Sequence, residues 1–149
     1  MDNATQKYAA LKLENQLCFP LYAAAREVTG LYTPILSELG ITYTQYIAFM
    51  VLWEKDGITV GELGKKLFLD TGTLTPMLKK LEAQGYIDRK RSEEDERVVK
   101  IFVTKKGFEL REKCLDIPSK VGKCASLSKL SREDAATLYR ILYGILKED

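Results

Sequence analysis

From Leu13 onward, apolar residues return at helical spacing through Leu17, Leu21, Ala24, Val28 and Leu31, and the segment runs on toward Leu36 and Leu39 before Gly40. This predicts one long first helix, continuous or broken. Kinks are expected near Pro20 and Pro34, which each remove an amide donor, and near Gly30, which loosens the backbone. A second helix is expected from about Thr44 to Lys55, carrying Ile47, Met50, Val51 and Trp53 and ending at Asp56-Gly57. Thr59-Val60-Gly61-Glu62 has a hydroxyl followed three residues later by a carboxylate, the capping-box pattern, and predicts a short helix ending near Phe68. After Leu69-Asp70, Leu74, Leu78 and Leu81 fall one turn apart, with Thr71, Thr73, Thr75, Lys79 and Lys80 left over for another face and Gly85 as the stop. Thr75-Pro76 competes as a later start for this helix. If the helix begins near Thr71, Pro76 deprives the Gly72 carbonyl of its usual donor.

Two short helices joined by a tight turn form a helix-turn-helix candidate. The next stretch strengthens it: two strand-like runs, Tyr86 to Arg91 and Val98 to Val103, flank the polar turn Ser92-Glu93-Glu94-Asp95-Glu96 and predict a β-wing. Thr104 is placed to cap a further helix that reaches Asp116-Ile117 and meets Pro118, and Ser131-Arg132-Glu133-Asp134 opens a last helix through Leu138, Ile141, Leu142 and Ile145. The expected fold is mainly α with a small β-wing, a winged helix-turn-helix. Residues 1–149 read as a single domain in which 44–104 form the DNA-binding region. Residues 1–40 and 105–149 supply terminal helices that form a homodimer interface, because their apolar stripes exceed what a small domain buries alone.

Composition narrows the chemistry. The 149 residues are 46% hydrophobic and 30% charged, a balance typical of one ordinary globular domain. No apolar run approaches the length of a membrane span and the start lacks a charged-then-apolar leader, so a cytoplasmic protein with no membrane partner is expected. Histidine is absent, which removes Cys-His and Ser-His-Asp nucleophiles and every imidazole metal site, and most enzyme readings with them. Three cysteines, Cys18, Cys114 and Cys124, do not make an even disulfide framework. A Cys114-Cys124 metal pair lacks the ligands to close a tetrahedral site, and no metal or cofactor is expected. Net charge is only +2, but residues 79–106 carry nine basic against six acidic residues, so the basic excess lies mid-chain where a duplex can be gripped.

Thr71, Thr73, Thr75 and Lys79 are the residue types that reach base edges or phosphates from such a helix, whose amino terminus itself attracts phosphate. A capped, solvated surface helix is the competing reading. In the wing, Arg89 and Arg91 precede the turn with Lys90 between them. Arg97 follows it and is the residue expected to enter a narrow, electronegative minor groove. Asp95 is expected to brace Arg97 rather than to face DNA. A solvated charge run is the alternative. Cys18, beside Leu17 and Leu21, reads by default as a small buried hydrophobe. Tyr22 lies at i+4 from it, and Tyr32 and Tyr43 can converge through folding or across a dimer. Phenol hydroxyls that hydrogen-bond a thiolate stabilise it, and the thiolate is the form of sulfur that attacks peroxide. Cys114, beside Leu110 and Leu115, reads as a buried structural thiol.

Four blocks, residues 13–19, 42–46, 69–79 and 91–97, resemble the MarR family and, within it, the organic-hydroperoxide-sensing repressors called OhrR. Asp95-Glu96-Arg97 is similar to the general family signature, whereas Leu17-Cys18-Phe19 with three tyrosines is similar to the peroxide sensors in particular. The resemblance covers the chain to about residue 118. It implies a dimeric repressor on inverted-repeat operator DNA, released when an organic hydroperoxide, the inducer, oxidises Cys18 to a sulfenic acid. It also implies Tyr22, Tyr32 and Tyr43 as partners of the sulfur. Cys124 resembles in placement the resolving cysteine of two-cysteine members, and a low-molecular-weight thiol takes that role in one-cysteine members. Two other readings remain at this point: a MarR-type repressor released by a small aromatic ligand with Cys18 passive, and a thiol peroxidase using Cys18.

Overall fold

The computed structural model describes residues 7–146. The outer ends of the two segments expected to form the dimer, residues 1–6 and 147–149, lie outside the described residues. Two 3₁₀ turns, Ala9–Leu11 and Leu13–Asn15, precede α1 (Cys18–Gly30), α2 (Thr33–Glu38) and α3 (Tyr43–Glu54). A two-residue strand β1 (Ile58–Thr59) leads into α4 (Val60–Leu67) and α5 (Thr71–Ala83), followed by β2 (Ile87–Arg91) and β3 (Val99–Val103). The chain closes with α6 (Lys105–Lys113), α7 (Ile117–Gly122), α8 (Ala125–Ser128) and α9 (Arg132–Leu146). No helix among the described residues is long and apolar enough to cross a membrane.

The first helical segment is broken rather than continuous, and proline explains the breaks. A helix running from Leu13 through Pro20 would lose a donor and press the proline ring on the Gln16 carbonyl. The backbone is instead extended at Lys12 and Gln16, and α1 starts at Cys18, which puts Pro20 in the first turn where no donor is needed. Pro34 likewise sits at the second position of α2 and Pro118 at the second position of α7. These prolines begin helices rather than kink them.

The core forms around α3. Its buried face is Gln45, Tyr46, Ala48, Phe49 and Leu52, whereas Met50 is half exposed. Gln45 tolerates burial because its side chain accepts the Thr42 backbone N–H at 2.9 Å, while Thr42 Oγ1 accepts the Gln45 N–H, a reciprocal cap at the helix start. Thr59 and Glu62 form the same cap on α4. Phe49 packs with Leu52, Leu63, Leu74, Leu78, Leu81, Ile87 and Ile101, all at or below 1% exposure. The three leucines of the inner face of α5 are therefore core residues. Between α4 and α5 the chain turns so tightly that a Cβ on Gly64 would lie 2.6 Å from the Leu69 carbonyl oxygen.

The sheet is antiparallel, in the order β1-β3-β2. Ile87 pairs with Val103, Arg89 with Ile101 and Arg91 with Val99, so the two long strands form a ribbon that turns at residues 92–98. β1 pairs with the base of this ribbon, Ile58 opposite Ile101. Three side-chain hydrogen bonds among the described residues tie the unit to the following helix: Trp53 Nε1 donates to the Gly107 carbonyl at 3.1 Å, Lys106 Nζ donates to the Gln84 carbonyl at 2.7 Å, and Thr104 Oγ1 accepts the Gly107 N–H at 3.2 Å.

Candidate DNA interface and thiol site

Helix α5 begins at Thr71, and Asp70 caps it by accepting the Thr73 N–H at 2.8 Å. That bond, reinforced by the Thr73 hydroxyl at 3.0 Å, holds the Asp70 carboxyl below the usual carboxylate range. The competition between Thr71 and Thr75 as helix start is thus decided by Asp70. Pro76 lies inside α5, and the Thr75 hydroxyl donates back to the Thr71 carbonyl at 2.7 Å. The exposed face then presents unlike groups. Thr71 carries a hydroxyl with no partner among the described residues. Thr75 has spent its proton and offers only lone pairs, and Lys79 is exposed and free of any ion pair among the described residues. Hydroxyl acceptors and an ammonium donor together suit base edges and phosphate.

A groove separates α5 from the wing. It is lined by Thr59, Thr71, Thr75, Arg89, Arg97 and Val99. Arg97 stands out from the wing with its side chain 90% exposed, and its Nε and Nη2 each reach an Asp95 carboxylate oxygen at 3.1 Å. The Arg97 backbone N–H donates to the same carboxylate at 3.0 Å. Both ends of the arginine are therefore fixed by one aspartate, whose carboxyl the guanidinium holds below its usual range. Arg91 is exposed and, among the described residues, its guanidinium reaches only the Glu96 carbonyl, at 3.5 Å. Arg89 differs from both. It is bound to Glu82 of α5 through Nε at 2.9 Å and Nη2 at 2.7 Å, so most of its guanidinium points at the helix. Glu82 was not anticipated. It lies seven residues from Arg89 across a helix-to-strand turn, a spacing with no periodic signature.

Cys18 is the first residue of α1, in the turn whose amide N–H groups have no intrahelical acceptor. The residue is exposed in the single chain, so the buried-hydrophobe reading does not describe it there. The three tyrosines do not gather equally. Tyr32 and Tyr43 pack ring to ring at 4.9 Å, joined by Tyr46 at 5.8 Å from Tyr32. Tyr22 is exposed under Arg26, 5.3 Å from its ring. Within one chain no hydrogen bond joins Cys18 to any of them among the described residues. Tyr46, one turn after Tyr43, is not among the tyrosines expected to partner the sulfur. It is almost wholly buried, and burial first, then the neighbouring Cys114, pushes its hydroxyl up to about 12.

The other thiols are unlike Cys18. Cys114 ends α6 at 4% exposure, and burial raises its pKa, so it is a poor nucleophile. Cys124 is half-buried, its Sγ 3.7 Å from the Lys120 carbonyl oxygen.

Residues 30–114 match the family model for the transcriptional regulator SarA/Rot. The chain is 54% identical over 141 residues to the organic hydroperoxide resistance transcriptional regulator of Bacillus subtilis (strain 168), covering 95% of this chain and 94% of that one. AbfR of Staphylococcus epidermidis is similar in structure. Its reduced form bound to DNA matches with a TM-score of 0.75 at 32% identity, over 95% of this chain and 96% of that one. Its disulfide-formed state gives 0.67 at 31% identity, over 98% and 100%. A MarR mutant from E. coli complexed with operator DNA matches with a TM-score of 0.77 at 25% identity, over 99% and 100%. The winged fold, the capped α5 helix and these likenesses agree: the chain belongs to the MarR family of DNA-binding transcriptional regulators, within its organic-hydroperoxide group, OhrR.

Proposed function

We propose that this protein is a dimeric cytoplasmic repressor that binds an inverted-repeat operator and is released when an organic hydroperoxide oxidises Cys18. The observation that carries the reading is the placement of Cys18: an accessible thiol at the first turn of a terminal helix, among exposed apolar residues that a second copy would cover. Leu11, Leu17, Tyr139 and Ile145 are each more than 60% exposed, an amount of apolar surface that favours association. In the dimer the two α5 helices enter successive major grooves about 34 Å apart, with Thr71, Thr73, Thr75 and Lys79 toward the duplex. Arg97, braced by Asp95, enters the flanking minor groove, and Arg91 meets phosphate. The better match to the DNA-bound reduced AbfR than to its disulfide form supports a conformation suited to DNA.

Pairing of the chains brings Tyr22 of one subunit and Tyr32 and Tyr43 of the other toward the sulfur. The thiolate attacks the distal peroxide oxygen, an S–O bond forms and the O–O bond breaks. The sulfur loses two electrons and becomes a sulfenic acid, while the departing alkoxide takes a proton and leaves as the alcohol. A thiol then attacks the sulfenic sulfur, forming a disulfide and releasing water. That thiol is Cys124 of the partner subunit or a low-molecular-weight thiol. The oxidised sulfur no longer accepts the phenol hydrogen bonds, and the dimer relaxes to a spacing that does not fit the operator. A tenfold fall in affinity requires about 1.4 kcal/mol of difference between the two conformations, which a few interface hydrogen bonds supply.

The test is operator binding by the native chain and by Cys18→Ser, each with and without cumene hydroperoxide. Release is expected for the native chain alone. Equal release of both proteins would end the redox reading and favour a ligand-released repressor. Mass spectrometry of the oxidised dimer then separates a Cys18-Cys124 bridge from a small-thiol adduct.

A further inference from the structure

Like Arg97 and Asp95, Arg89 and Glu82 form an ion pair held by three hydrogen bonds. One carboxylate takes three donors from one residue: the Arg89 backbone N–H on Oε1 at 3.1 Å, and Nε and Nη2 on Oε2 at 2.9 and 2.7 Å. Both side chains are partly withdrawn from water, at 22% exposure for Arg89 and 36% for Glu82, unlike the open Asp95-Arg97 pair of the wing tip. The bonds hold the Glu82 carboxyl below its usual range, so it stays ionised at neutral pH.

The location gives the pair its consequence. Glu82 lies in the last turn of α5, and Arg89 is the third residue of β2. The two elements are joined by Gln84-Gly85-Tyr86, where Gly85 adopts φ +78°, a tight turn that sets the direction in which β2 leaves the helix. Lys106 secures one side of this joint by donating to the Gln84 carbonyl at 2.7 Å. Glu82 secures the other side and grips both the backbone and the side chain of the strand. The pair leaves Arg89 Nη1 unbonded among the described residues, and Arg89 lines the groove between α5 and the wing beside Thr71, Thr75 and Arg97.

We propose that Glu82 is a positioning residue for DNA recognition: it fixes the angle between the recognition helix and the wing, and it presents the free Nη1 edge of Arg89 to the duplex. Neither effect requires Glu82 to touch DNA, which its charge disfavours. Without it, the Arg97 finger and the α5 hydroxyls no longer address the major and minor grooves in one register. The inference rests on the DNA-binding reading above.

The test uses the full chain and the duplex that the unaltered protein enriches from a random-sequence pool. Affinity is read by fluorescence anisotropy, contacts by hydroxyl-radical footprinting, and fold by circular dichroism. Glu82→Ala should weaken binding about tenfold, the scale of losing one charge-assisted hydrogen bond. Glu82→Gln, which keeps the size but not the charge, should fall between. Protection at the wing-contacted flanks should fade while the half-site centres stay protected, a split that a general loss of fold would not produce. Arg89→Lys keeps the charge but loses the fork. If Glu82 acts through Arg89, Glu82→Ala combined with Arg89→Lys should be little worse than either alone. Unchanged affinity and footprint in Glu82→Gln and Glu82→Ala, or losses that multiply in the double variant, would overturn the proposal. If Glu82→Ala lowers the thermal midpoint, Glu82→Gln decides. Failure of the unaltered protein to enrich any duplex would instead remove the DNA-binding reading, and this inference with it.

Discussion

Pro76 sits on the exposed side of the recognition helix at its sixth residue, where it has no N–H to give the Gly72 carbonyl. Replacing it with alanine restores that bond and removes the ring's pressure on the preceding turn. Proline is about 3 kcal/mol worse than alanine in a helix interior, a figure that already contains the missing hydrogen bond. The substitution also frees the unfolded chain, which offsets roughly 1 kcal/mol. Pro76 is exposed and its loss opens no cavity, so a net gain of about 2 kcal/mol is expected for Pro76→Ala. At this chain length that corresponds to a rise of roughly 4–8 °C in the thermal midpoint. The assay is far-UV circular dichroism during heating, at one fixed protein concentration because association shifts the midpoint. A midpoint that falls or does not move would refute the reasoning. It would mean that the helix around Gly72 is set by tertiary contacts strongly enough to make the proline cost nothing.

Leu78→Ala should do the reverse. Leu78 is fully buried between Leu74 and Leu81, and its truncation should cost about 3–5 kcal/mol in denaturant unfolding; a loss under about 1 kcal/mol would show that the site collapses to fill the gap. Asp95→Ala releases an arginine that, among the described residues, Asp95 alone orients, so operator affinity should drop by about threefold to tenfold in fluorescence anisotropy with an unchanged dichroism spectrum, and equal affinity would exclude a brace. Acid should loosen the unit in a defined window. The Glu82, Asp70 and Asp95 carboxyls are all depressed below their ordinary values of 4.5, 3.8 and 3.8. A depressed carboxyl stabilises the fold fully above its unfolded value and loses that contribution as pH falls through the folded value. The thermal midpoint should therefore be level from neutral pH to about 5 and decline below about 4; a decline that began near pH 6 would point to other groups.

The DNA-binding half was the more legible part of the chain. The inner face of Leu74, Leu78 and Leu81, the Thr59-Glu62 cap, the Thr104 cap and the two wing strands are all local patterns, and each is found where its spacing places it. Strand β1 was not legible, because two residues carry no alternation and Ile58-Thr59 is a strand only by pairing with Ile101 and Lys100. The Thr42-Gln45 cap has the same signature as Thr59-Glu62 and lies just ahead of the helix start expected at about Thr44. The first helix was read too long because its apolar period continued through residues whose backbone Pro20 does not allow to be helical.

By itself the sequence determined the periods, the caps and the turn chemistry, since those depend on residues three or four apart whose interaction needs no other part of the chain. It also showed that none of the 149 residues is a histidine. Only the tertiary structure decided which groups meet at a distance. It joined Tyr32 to Tyr43 and Tyr46 while leaving Tyr22 with Arg26, set Cys18 at an exposed helix start, and turned Arg89 back onto Glu82. Such pairings follow from how helices and strands cross once their apolar faces are buried. That crossing is a property of the packed core as a whole, which no short window of residues contains.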